Sequence, residues 1–136
     1  MKSLQAASAA IEMGAGVALL CCPSFSAELL IGVPLGSAAA LTVTRIGGAG
    51  LLTLGVACLL AYGDTQSRAA RGIVAAMWFY NVAAACIIAY ARFGYGLLGG
   101  VLWLAVVLHA AMAVWCTTCL WNSLSRASLE TDEQMP

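Results

Sequence analysis

The chain carries little charge, and its few charged residues do not cluster. Only 9% of the 136 residues are Asp, Glu, Lys or Arg, six acidic against six basic, and the formal net charge is zero. Soluble domains average about 25% charged residues, so a soluble globular fold is excluded. Without a basic cluster, nucleic acid as a partner and a polybasic lipid-binding segment are excluded as well.

Histidine is nearly absent, which limits metal and haem chemistry. The single histidine, His109, cannot build a structural zinc site alone, because such sites take four ligands. Cys116 follows seven residues later, about two helical turns away, which is too far for joint ligation within one helix. Haem ligation by His109 would need a partner from another chain. We therefore predict no metal and no cofactor.

Apolar residues dominate the sequence. They make up 62% of it, and the mean hydropathy is +0.93. A membrane-spanning helix needs about 20 mainly apolar residues, so the length accommodates four spans with short connections. The sequence predicts an all-α, antiparallel four-helix transmembrane bundle that forms one domain, residues 1–122, followed by a polar, disordered cytoplasmic tail, 123–136. The predicted spans are residues 4–22, 38–61, 72–90 and 97–121.

The connection between spans one and two contains a proline-marked break. Proline is tolerated at a helix start and poorly inside one, so Pro23 is expected to end or kink span one. Residues 24–33 then fit a short interfacial helix. In the alternative register, span one continues with a kink to about Ile31. Ser37 is a suitable N-cap for span two.

Lysine and arginine are distributed unequally between the two sides of the predicted bundle. Lys2, Arg68, Arg71 and Arg126 would share one side, and Arg92 would lie on the other. Cytoplasmic segments of membrane proteins carry the excess of Lys and Arg. The sequence therefore predicts a membrane protein with several spans and with both termini in the cytoplasm.

Each span carries one strongly polar residue near its middle: Glu12, Arg45, Asn81 and His109. A charged group at the bilayer centre costs about 2.5–3.5 kcal/mol, so such groups normally face the bundle interior. Small residues flank all four on their helix faces, as close packing requires. We predict one buried polar network with Glu12 and Arg45 as its ion pair. The network either fixes helix register, or forms a proton or ligand site in which Glu12 or His109 changes protonation, or is partly a chance placement with side chains that snorkel or face lipid.

Two cysteine pairs are candidates for thiol or metal chemistry. Cys21 and Cys22, before Pro23, resemble the vicinal pair in the first span of small mercuric-ion transport proteins, which implies capture of a soft metal by thiolates. Cys116 and Cys119 resemble the redox motif in the last span of vitamin K epoxide reductase-like proteins. No other loop cysteine lies on that predicted side to exchange disulfides with the second pair.

Cysteine inside apolar segments otherwise behaves as a small hydrophobic residue. This is the simplest interpretation of all six cysteines. Cys58 and Cys86 are expected to point away from the polar faces of their helices and to add nothing to either site.

Several motifs recur together in one group of proteins. They are Glu12, the run from Pro23 to Gly36, the segment from Arg45 to Leu52, Tyr80-Asn81, and His109 to Cys116. Together they resemble small bacterial four-helix inner-membrane proteins related loosely to DoxX-like families. The similarity covers residues 10–120. It implies an inner-membrane bundle with the same interior polar set and no established activity.

Two classes of function follow. The favoured one is a non-catalytic membrane protein, either an accessory subunit of a larger membrane complex or a homo-oligomer, whose partners are the lipid bilayer and other membrane subunits or itself. Abundant glycine and alanine suit helix contacts of this kind. The alternative is a small carrier or membrane redox protein for a proton, a soft metal or a quinone-type ligand. It would use the central polar site or the thiols.

Overall fold

The protein is all-helical in the part of the chain that the structure describes. The computed structural model describes residues 1–64 and 67–133, with side chains for residues 1–64, 67–123 and 125. Five helices follow one another: α1 (Lys2–Cys21), α2 (Pro23–Ile31), α3 (Ala38–Leu60), α4 (Arg68–Tyr95) and α5 (Leu102–Glu133). The predicted all-α fold is confirmed.

Four of the helices are long and apolar enough to cross a membrane. They are Lys2–Cys21, Ala38–Leu60, Arg68–Tyr95 and Leu102–Ser123. Large apolar side chains, among them Phe79, Leu60 and Phe93, are at least 70% exposed. Exposed apolar surface of this extent requires an apolar solvent around the helices. The chain is an integral membrane protein with four candidate spans.

Helices α1 and α3 form one tightly packed pair. A Cβ atom built on Gly16 would lie 2.7 Å from the Gly48 carbonyl oxygen, and one on Gly55 would lie 2.9 Å from the Met13 backbone nitrogen. The glycines therefore let the two backbones touch, which is how helices associate where lipid is as apolar as leucine. Met13 lies beside Gly55, and the later residue Gly16 lies beside the earlier residue Gly48. The two helices therefore run in opposite directions.

Helices α4 and α5 form the second pair. Near one end the rings of Phe93 and Trp103 meet edge to face, 5.7 Å between centroids. Near the middle Asn81 contacts His109. The two pairs meet through a cluster of buried apolar residues from all four long helices: Leu4, Ala9, Cys58, Val74, Met77, Met112 and Cys116.

Helix α2 attaches the first pair to the second. A break at Cys22 separates it from α1, with Pro23 in its first turn. The Val101 backbone N–H donates to the Leu29 carbonyl at 3.2 Å, across to the turn that joins α4 to α5. Gly99 lies against the Leu30 carbonyl so closely that a Cβ there would overlap it. This contact between α2 and residues 96–101 is called the α2 clasp below.

The ends of α4 and α5 differ from those of the apolar runs: α4 is longer at both ends, whereas α5 begins at Leu102, five residues later than predicted, and ends later. Ser37 caps α3 as expected, since its Oγ accepts the Ala40 N–H at 3.1 Å. Ser67 caps α4 in the same way, so that α4 begins at Arg68, four residues before the expected start of the span. Helix α5 continues to Glu133, so most of the expected disordered tail is helical, and residues 134–136 lie outside the described part. Hydropathy marks the apolar part of a helix, whereas caps and backbone hydrogen bonds set its ends.

Candidate functional site

Helix α1 turns a polar stripe toward the bundle interior. Gln5, Ser8 and Glu12 are only 1%, 1% and 2% exposed. Their spacing of three and four residues places them on one helix face. The stripe begins within the first turn of α1 and reaches the middle of the helix at Glu12.

Asn81 and His109 connect α4 to α5 by a hydrogen bond. The Asn81 Nδ2 amide donates to the Met77 carbonyl at 2.8 Å, which turns Oδ1 toward the histidine ring. His109 Nδ1 lies 2.8 Å from Oδ1. An amide oxygen only accepts, so Nδ1 carries a proton and donates it, and Nε2 remains as the second ring nitrogen.

The neighbouring residue of α4 also touches the histidine. The Tyr80 ring meets the His109 ring edge to face, with centroids 5.6 Å apart and planes at 84°. Tyr80 and, from α3, Cys58 lie within electrostatic reach of Glu12. Glu12, Cys58, Tyr80, Asn81 and His109 thus bring the four long helices together at one level of the bundle.

Arg45 lies outside this group. It is exposed, and its Nε donates to the Leu20 carbonyl at 3.3 Å. Leu20 lies eight residues beyond Glu12 on α1, about 12 Å along the helix axis. The structure does not bring Arg45 to Glu12. Arg45 instead supplies a donor and a positive charge to the carbonyl end of α1.

Proline explains why this end of α1 needs a donor. Pro23 has no N–H to offer the preceding turn, and the break at Cys22 ends the helical hydrogen-bond ladder. The Cys22 N–H bonds the Ala18 carbonyl, and the Ser26 hydroxyl also donates to it. Arg45 donates to the Leu20 carbonyl. The signal in the sequence is the combination of a proline after an apolar run and a cation at the matching depth of the next span.

The cysteines separate into exposed and interior groups. Cys21, Cys22 and Cys86 are exposed, Cys119 is half-buried, and Cys58 and Cys116 are buried. Cys58 belongs to the core and lies within electrostatic reach of Glu12. It points away from Arg45, as expected, but the buried face of α3 is the one that carries Gly48, Gly55 and Cys58, not the one that carries Arg45.

The cysteine pairs do not join with other ligands at a metal centre in the described residues. Among the described side chains of residues 1–64, 67–123 and 125, no group of three or more His, Cys, Asp and Glu could hold a metal ion. Cys116 and Cys119 are one turn apart on α5, with Cys58 within electrostatic reach of Cys116. Cys21 and Cys22 lie at the end of α1.

The prediction from the sequence left out Gln5 and Ser8 as site residues, although they share the face of Glu12. Their polar stripe at helical spacing inside an apolar segment was the available signal. Tyr80 entered the sequence analysis only as part of the Tyr80-Asn81 motif, and its contact with His109 was not predictable because it depends on the rotation of α4 against α5. Comparison of the chain with known protein families, with curated proteins and with solved structures finds no match.

Proposed function

We propose that the protein is a non-catalytic membrane subunit that acts by helix association, with a second copy of itself or within a larger membrane complex. The exposed guanidinium of Arg45 inside an apolar helix is the observation that carries this proposal. One bond to Leu20 uses one of its five N–H donors. An acidic group on a partner would compensate the remaining charge, since an arginine facing lipid costs about 2.5–3.5 kcal/mol near the bilayer centre.

The surface around Arg45 suits a helix contact. Thr42 and Ala49, three residues before and four after it, are exposed and share its side of α3. We name Thr42, Arg45 and Ala49 the Arg45 face. Short side chains let a partner backbone approach closely, which is how membrane helices gain packing energy.

A second copy offers the matching charge. Glu28 is the only acidic residue between Glu12 and Asp64, and it is exposed on α2, at the end of the bundle where Arg45 meets α1. In a two-fold dimer each contact occurs twice, so Glu28 of each copy would face Arg45 of the other. Self-association is therefore the form of the proposal that we favour.

The orientation belongs to the same proposal. Lys2 and Arg68 begin α1 and α4 at the end of the bundle opposite the α2 clasp. We place this end in the cytoplasm of a bacterial cell by the excess of Lys and Arg. The test is a reporter enzyme that is active only outside the cytoplasm, fused to the C-terminus. Activity of this reporter would contradict the proposed orientation.

Energy transfer between labelled copies in proteoliposomes tests the dimer. We expect wild-type transfer to rise with the protein-to-lipid ratio and to be lost in Glu28→Arg and in Arg45→Glu. The change corresponds to at least about tenfold weaker association, about 1.4 kcal/mol. The double variant with both exchanges should regain transfer, because the ion pair is restored with reversed sign.

Two further variants separate association from folding. Ala49→Leu adds bulk on the Arg45 face and should weaken association. Gly47→Leu adds the same side chain on the opposite flank of α3, where no described atom lies within 4 Å of an added Cβ, and should leave association unchanged. Wild-type protein that stays monomeric at every ratio would refute self-association. Co-elution with a larger membrane assembly in mild detergent would then support the accessory-subunit form.

A further inference from the structure

The polar stripe of α1 contains side chains that the protein itself does not satisfy. Within the described residues, neither Nε2 nor Oε1 of Gln5 nor Oγ of Ser8 has a hydrogen-bond partner. Both side chains are 1% exposed. Buried polar groups in native proteins are nearly always hydrogen-bonded, so each of these atoms calls for a partner.

Ser8 differs from other hydroxyl side chains in the long helices. The hydroxyls of Thr42, Thr53 and Thr117 each donate to the backbone carbonyl four residues earlier, at 2.8–2.9 Å. The same bond within its own helix is available in principle to Ser8. Its hydroxyl makes no such bond and is buried.

Among the described residues, no polar group bonds to the Gln5 amide or to the Ser8 hydroxyl. The buried core to which α1 contributes Leu4 and Ala9 is apolar. A buried donor or acceptor without a partner costs about 1–3 kcal/mol, so three such atoms would cost a large part of a stability of about 5–15 kcal/mol. A molecule that both donates and accepts can serve the Gln5 amide and the Ser8 hydroxyl together, and water does both.

We propose that Gln5 and Ser8 bind a file of water molecules that runs from the N-terminal end of α1 to the carboxyl group of Glu12. Lys2 and Ser3, at the start of α1, are exposed beside the first member of the stripe. Successive stripe residues are about 4.5–6 Å apart along the helix axis, a distance that one or two water molecules bridge.

The file ends at Glu12. The next residue on the same face is Gly16, whose backbone touches α3 so closely that an added Cβ would lie 2.7 Å from the Gly48 oxygen. No water passes between backbones in such contact. The water file is therefore a half-channel that lets Glu12 exchange protons with the aqueous phase at the N-terminal end of α1. It does not depend on the proposed dimer.

Hydrogen exchange of side-chain amides tests the file in the wild-type protein. Gln5 and Asn81 are matched amides, each 1% exposed, but Asn81 has the Met77 carbonyl as a partner. With ¹⁵N-labelled glutamine and asparagine in bilayers, Gln5 should exchange within about tenfold of the exposed Asn122, and Asn81 at least about a hundredfold more slowly. The amide signal that is missing from the spectrum of Gln5→Leu is the signal of Gln5. A Gln5 amide that exchanges as slowly as Asn81 would overturn the proposal.

A pair of isosteric variants tests whether the file passes Ser8. Ser8→Thr and Ser8→Val add equal bulk, but only threonine keeps the hydroxyl. In solid-state NMR with ¹³C-labelled glutamate, magnetisation from water should reach the Glu12 carboxyl carbon in Ser8→Thr. It should fall at least about threefold in Ser8→Val, with the exposed Glu28 unchanged as the reference. Equal transfer to Glu12 in the two variants would show that the file does not run past residue 8.

Discussion

Asn81 illustrates how one buried amide can orient a neighbouring ring. Its nitrogen is committed to the Met77 carbonyl, so its oxygen can only face His109. Tyr80 then restricts the ring from its side. Between helices in a membrane such a hydrogen bond contributes modestly, about 0.6 kcal/mol on average and at most about 1.7.

A double-mutant cycle measures this contribution directly. Asn81→Ala and His109→Ala should each destabilise the protein, and the coupling free energy between them should lie near about 0.6–1.7 kcal/mol. Reversible unfolding in mixed micelles, followed by tryptophan fluorescence, gives the four free energies. Additive effects of the two substitutions would show that the hydrogen bond between Asn81 and His109 contributes nothing to the free energy of unfolding.

The four polar residues that the sequence indicated differ in how predictable their positions were. Asn81 and His109 meet at the depth that their places in two adjacent spans suggested. Arg45 has a similar depth, yet it faces outward, because its partner is a backbone carbonyl exposed by Pro23. A sequence pattern records which side chains are polar, but it does not record which backbone groups lack partners.

At the scale of the helix, glycine position decides how closely two elements approach. Gly14 and Gly16 are only two residues apart on α1. A side chain on Gly16 would collide with the backbone of α3, whereas no described atom lies within 4 Å of an added Cβ on Gly14. Of these two glycines, only Gly16 is required for the contact between α1 and α3.

Alanine at these two positions should therefore have opposite effects. Gly16→Ala should destabilise the protein by about 1–3 kcal/mol, because neither backbone can yield without separating the helices. Gly14→Ala should be neutral or stabilising by less than about 1 kcal/mol, since alanine favours the helix. Unfolding free energies of the two variants in the same micelles check the contrast, and equal values would contradict the close contact at Gly16.

The extents of the helices were only partly predictable. The apolar runs indicated α1 and α3 to within two residues, because a proline and a serine cap coincide there with the ends of the runs. Helix α4 is longer than its run, since its last turn continues through Arg92 to the left-handed Gly96, with φ of 70°. Residues at the water boundary can be polar and still helical, so hydropathy cannot find such ends.

For the whole molecule, the joint between the two helix pairs matters most. Each pair is tightly packed, but the pairs meet each other mainly through scattered side chains and through the α2 clasp. Gly32 adopts a φ of 79°, which favours glycine, and lies against the Leu98 carbonyl at the clasp. The sequence predicted a short interfacial helix over residues 24–33 but did not indicate that this helix contacts residues 96–101, which are distant in the chain.

Gly99 and Gly100 provide a test of the clasp. A Cβ on Gly99 would overlap the Leu30 carbonyl, whereas no described atom lies within 4 Å of one on Gly100. Gly99→Ala should lower the free energy of unfolding by about 1–3 kcal/mol, and Gly100→Ala should change it by less than about 0.5 kcal/mol. Thermal unfolding in the same mixed micelles compares the stabilities of the two variants. Equal stability of the two variants would show that the clasp does not hold the pairs together.

The pairing of helices has a consequence for biogenesis. Both members of the first pair lie before residue 64, and both members of the second lie after residue 67. Chains are synthesised from the N-terminus, and units generally form in that order. Helix α3 can therefore close on α1 in the membrane while α4 is still in the ribosome, and the clasp can form only after residue 101 has emerged. The last contact to assemble is the one that turns two independently inserted hairpins into one protein.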